Sequence, residues 1–134
     1  MKACLKNPTK YFSPDEIKLV KDFINLLQQE LLLKNDVHID FDPKKDVHMT
    51  TGVRLSGSKI YVLTKDRLLI DVLRTLSHEW THEFQHQKLG LKDNQKIQDI
   101  GGPEENMANV LSGIFMKKFD KIFPHYSPVI YEEE

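Results

Sequence analysis

The chain of 134 residues contains a single cysteine, Cys4. One thiol excludes a disulfide framework and a zinc site built from thiolates, so a metal held here must be held by histidine and carboxylate. Cys4 itself sits in a polar N-terminal stretch with no sequence neighbour that would activate it. Long apolar runs are missing too. No window reaches the length of a signal peptide or a membrane span, which points to the cytoplasm and away from a membrane partner. Nor is charge of one sign in excess. With 19 Lys and Arg against 20 Asp and Glu, the net charge of −1 offers no footprint for nucleic acid or an anionic membrane. Internal repeats, low-complexity tracts and linkers are absent. The 40% hydrophobic and 29% charged residues predict one globular domain over residues 1–134, with a polar arm at 1–12 and a tail at 124–134.

Within that domain the periodicities predict an α+β fold. Ser13, Pro14 and Glu16 combine an N-cap serine, proline at the first helical position and a glutamate three after the cap. Ile17, Val20, Phe23, Ile24, Leu27 and Leu31 continue as an amphipathic helix over residues 14–33, with Lys18, Lys21, Asp22 and Gln28 toward water. Residues 37–41 alternate as a strand, residues 42–46 form a charged turn, and 47–55 with 59–64 read as a hairpin around Ser56-Gly57-Ser58. Short links between these segments predict a small, mostly antiparallel sheet of about three strands. A second helix spans residues 66–87, ending at Gly90. A polar connection through Ile97 and Ile100 leads to Gly101-Gly102-Pro103, and a third helix follows with its own apolar stripe. The segment after Phe123-Pro124 is expected to be extended, docked by Val129, Ile130 or Tyr131, and the acidic end 132–134 to be solvated.

The chemistry concentrates in residues 75–90, TLSHEWTHEFQHQKLG. His78, His82 and His86 recur every four residues, with Glu79 and Glu83 after the first two. On a helix, residues four apart share one face, so either consecutive pair can grip one cation beside a glutamate. This is H-E-x-x-H written twice in overlapping register. Leu69, Leu73, Leu76 and Trp80 form an apolar stripe, widened by Val72 and Phe84, and His78, Thr81, His82 and Gln85 lie opposite, so the helix should bury one face and offer its histidines to a cleft.

Catalytic zinc takes three protein ligands and keeps a position for water, so two imidazoles need a third partner. Glu105, opening the third helix, is the candidate, ahead of Glu104, and Asn109 one turn on could hydrogen-bond a ligand histidine. The metal would activate the water and the motif glutamate would take its proton and pass it to the departing amine. Candidates to assist at the oxyanion are Tyr61, His48, His125 and Tyr126, on residue type alone.

SHEWTHEFQH followed by PEENMAN resembles the minimal gluzincin zinc metallopeptidases of phages and mobile elements, including the ImmA/IrrE-type proteins, with H-E-x-x-H on one helix and E-x-x-A-N on the next. The resemblance spans roughly residues 73–119. It implies a minimal zincin-like domain, one Zn2+ held by His78, His82 and Glu105, Glu79 as general base, Asn109 supporting a ligand, and a peptide or protein substrate. A DNA-binding partner or domain often accompanies such proteins; none is evident in this chain.

The second register, His82-Glu83-Phe84-Gln85-His86, has its own support. From His86 to Glu105 there are 18 intervening residues, the interval of larger gluzincins, against 22 from His82. Against it, Glu83 points by angular count toward Val72 and Leu76, a costly place for a carboxylate without a partner, and His86 lies near a fraying helix end. The first register is preferred. The alternatives to a peptidase are an inactive zinc-binding module and a regulatory interaction protein on the same scaffold.

Overall fold

The computed structural model describes residues 1–42, 51–90 and 102–131. The chain begins with a strand where the sequence suggests only a polar arm. Strand β1, Ala3–Lys6, turns Ala3 and Leu5 onto the core, a period-2 alternation too short to stand out from a polar stretch. A 3-10 turn at Pro8–Lys10 then leads into helix α1, Pro14–Glu30. The capping box forms as its residues predict: Ser13 Oγ accepts from the Glu16 amide, and Glu16 accepts from the Ser13 amide. α1 stops three residues short of the predicted end. Gln28, expected in water, instead accepts from Leu33 N and donates to Leu33 O, turning the chain back toward the sheet.

Strand β2, Val37–Asp40, pairs in parallel with β1, in register from Ala3 opposite Val37 to Lys6 opposite Asp40. Hairpin strands β3, Gly52–Leu55, and β4, Lys59–Val62, are antiparallel, and β4 also runs parallel to β2. The sheet is therefore four-stranded and mixed, in the order β1-β2-β4-β3. This corrects the mostly antiparallel, three-stranded expectation. Parallel neighbours need a crossover, and α1 and β3 are themselves the connections that supply it. The predicted turn at 42–46, the start of the hairpin at 47–50, His48 and the connection through Ile97, Ile100 and Gly101 fall wholly or largely outside the described residues, as does the acidic end 132–134.

Helix α2, Leu69–Lys88, and helix α3, Pro103–Ile122, complete the helical layer with α1. Val37, Ile39, Ile60 and Val62 of the sheet meet Phe23, Leu27, Leu73, Leu76, Trp80 and Phe119 of the helices in one core. The Trp80 indole N–H donates to Leu31 O, so its polar atom is satisfied inside that core. α2 ends at Leu89, and Gly90 follows at φ 74°, the left-handed conformation a helix stop favours. The last segment is not extended. It forms a 3-10 turn at Pro124–Tyr126 and a helical turn at Ser127–Ile130, docked by Tyr126 and Ile130 while Val129 and Tyr131 stay exposed.

Candidate metal centre

α2 is enclosed on nearly every side, because α3 lies along the histidine face that the apolar stripe leaves free. Thr81, His82 and Gln85 are buried, and His78 alone of that set keeps partial access to solvent, its side chain 17% exposed. Glu105, Ala108 and Ser112 share one face of α3. Glu105 and Ser112 both reach α2, Ser112 Oγ lying 3.5 Å from Arg74 O, so the small Ala108 sits between them and lets the helices close.

Across this junction His78 Nε2 lies 2.8 Å from Glu105 Oε1, and His82 Nε2 lies 2.9 Å from Glu105 Oε2. The two Nε2 atoms are 3.2 Å apart, their rings edge-on at 82°. One ligand atom from each of the three residues falls within 4.8 Å of the others, an arrangement that could hold a metal ion. Among the described residues this is the one such group, and it includes neither His86 nor the carboxylate of Glu104.

Hydrogen bonds around the group fix how its rings are held. Gln85, fully buried, donates from Nε2 to Glu104 O at 2.9 Å, which leaves Oε1 as an acceptor. His82 Nδ1 lies 2.8 Å from that Oε1, so the network assigns the ring proton to Nδ1 and a lone pair to Nε2. That nitrogen faces a Glu105 carboxylate oxygen at 2.9 Å, so the pair presents two lone pairs that a cation could bridge. The Asn109 side chain lies near enough to His78 to favour its protonated form slightly. Burial pushes the His78 imidazolium below the ordinary histidine range; the Glu105 carboxylate opposes this and His82 adds to it. A neutral ring keeps its lone pair for a ligand.

The two motif glutamates have different surroundings. Glu79 is buried, and its Cγ would lie 3.4 Å from a Cβ added at Gly52, so its side chain packs beneath β3. Glu83 is fully buried and faces the hairpin: Arg54 Nε donates to Oε1 at 2.7 Å, and Ser58 Oγ and Gln87 Nε2 both donate to Oε2. The partner that its burial demanded is thus Arg54, whose side chain is 7% exposed. Removing one member of such a pair typically costs about 3–5 kcal/mol, so Glu83 has a sufficient structural reason to be there.

None of the oxyanion candidates within the described residues is at the site. Tyr61 alternates with Ile60 and Val62, which face the helices, and lies on the opposite side of the sheet beside His38 and Asp40. His125 and Tyr126 follow the far end of α3, where Tyr126 OH donates to Asp22. Phe119, which stacks on Tyr126, is already about 21 Å from Glu105 along the helix axis. What the residue pattern missed is the role of Gln85, which it placed only on the face opposite the apolar stripe; that role depends on the Glu104 carbonyl of α3. No known protein family, curated protein or solved structure matches the chain.

Proposed function

We propose that this protein is a zinc-dependent metallopeptidase, a hydrolase of peptide bonds, with His78, His82 and Glu105 as ligands of one Zn2+ and Glu79 as general base. The observation that carries the reading is the convergence of two Nε2 atoms and one carboxylate across the α2–α3 junction. Two histidines and a glutamate are a donor set suited to catalytic zinc, leaving one position for water. Zinc, if bound by these residues, would supply Lewis acidity for the scissile carbonyl and would lower the pKa of a bound water toward neutrality. Glu79 takes the proton from the attacking water on its carboxylate and returns it to the departing amine. Gln85 keeps the His82 proton on Nδ1, and Asn109 orients His78.

The engagement of Glu83 with Arg54, Ser58 and Gln87 favours Glu79 over Glu83 as the base. The substrate would be an extended peptide added to β3, the edge strand nearest Glu79, since strand addition holds a chain straight over the site. Among the described residues no helix is long and apolar enough to cross a membrane.

Zinc content after dialysis tests the ligand set. Wild type should retain one ion per chain, His82→Ala and Glu105→Ala should lose it, and His86→Ala should keep it. Zinc retained by His78→Ala but lost from His86→Ala moves the centre to the second register and contradicts this assignment.

A further inference from the structure

Four residues of α2 spaced by four, Thr75, Glu79, Glu83 and Gln87, make a polar stripe distinct from both its apolar stripe and the face that carries His78 and His82. Each of the first three meets the edge strand β3 or the ends of its hairpin. At the start of the strand, Arg67 bridges both partners: its guanidinium donates to Thr51 O at 3.5 Å and to Thr75 Oγ1 at 2.9 Å. At the other end, Arg54 and Ser58 close on Glu83. Ser58 does so from the left-handed region, at φ 57°, a conformation that non-glycine residues seldom adopt, and there its hydroxyl reaches the carboxylate. Gln87 extends the network, accepting from the amides of Lys34 and Asn35 beyond α1.

Between these two anchors the strand passes very close to the helix. A Cβ added at Gly52 would come within 2.5 Å of Thr75 Cγ2 and 2.9 Å of the backbone oxygen of Tyr61, and it would touch Glu79 at 3.4 Å. Thr75 cannot simply rotate away, because Arg67 holds its hydroxyl. Only glycine allows this approach, and it is made directly over Glu79.

We infer that Gly52, Arg54, Ser58 and Glu83 form a clamp that fixes the height of β3 above α2 and thereby positions Glu79. They are positioning residues: none belongs to the metal cluster, and Glu83, the second glutamate of the overlapping motif, serves to hold the strand under which the first one works. The catalytic consequence rests on the peptidase reading above; the clamp itself does not. Misplacing a reacting group by about 1 Å can cost 10²-fold in rate, so a strand lifted by a few tenths of an ångström should be visible in turnover.

The test compares wild type with Gly52→Ala and Glu83→Gln, all zinc-loaded, by zinc content, amide hydrogen exchange and hydrolysis of a fluorogenic peptide library. Because Glu83→Gln risks misfolding, Ser58→Gly, which relieves the backbone while deleting the hydroxyl, is measured beside it. The clamp predicts one zinc per chain throughout, faster exchange confined to β3 and its hairpin turn, and a kcat lowered about 10–100-fold with zinc affinity unchanged. Unchanged β3 exchange in Gly52→Ala and Ser58→Gly overturns the clamp. Loss of zinc in step with loss of rate also overturns it, by showing a merely structural role. A wild type that holds zinc and cleaves no peptide overturns the peptidase reading and the catalytic consequence with it, while exchange in β3 still decides whether the clamp exists.

Discussion

At the scale of single residues, the site is a division of labour between groups that can touch a cation and groups that set their protons. The convergence of His78, His82 and Glu105 was legible because helical spacing puts residues four apart on one face and because two imidazoles call for a third ligand nearby. Gln85 was not legible, since nothing local distinguishes it from a solvated glutamine; its hydrogen bond to Glu104 O exists only once α3 has docked. Its position makes it a sharp probe. Gln85→Met keeps the volume and removes the acceptor that fixes the His82 tautomer, so zinc affinity should fall about 10–100-fold with all three ligands intact. Isothermal titration with zinc reads this, and an unchanged affinity means that Gln85 does not set the ring proton. Glu83 stands between the two cases. Its burial announced a missing partner, but only the hairpin register, with Arg54 opposite Ile60, shows that the partner is Arg54.

At the scale of elements, α1, α2, α3 and the hairpin followed from capping residues and apolar periodicity, while the sheet did not. β1 has four residues and one clear alternation, Ala3 and Leu5 inward, and its pairing with β2 is set by the crossover through α1. The C-terminal turn was misread as extended because Pro124 and Pro128 suggest chain breaks, yet each sits in the first turn of its short helix, where proline is tolerated. That turn ties α3 to α1 through Tyr126 OH and Asp22, at 2.6 Å, and this hydrogen bond pushes the Tyr126 phenol up to about 12. Since the unfolded phenol titrates near 10, the bond stabilises the fold fully below that pH, and its contribution is lost as pH rises toward about 12. Urea unfolding should therefore show Tyr126→Phe less stable than wild type by about 1 kcal/mol at pH 8, with the gap closing above pH 10. A gap independent of pH would contradict the linkage.

At the scale of the whole molecule, the candidate centre lies where three parts of the chain meet: α2 supplies two imidazoles, α3 a carboxylate, and the edge strand β3 covers the glutamate between them. Among the described residues the sheet's order places β3 at its rim, beside α2. The same arrangement explains why α2 is buried almost all round and why polar groups on its covered faces have partners. The most direct test of the account is hydrolysis of a fluorogenic peptide library by the zinc-loaded protein, wild type against Glu79→Gln, with bound zinc measured in the same samples. The account predicts one zinc per chain in both proteins and a rate in Glu79→Gln reduced about 10²–10⁴-fold. Full activity in Glu79→Gln, with zinc retained, would contradict it.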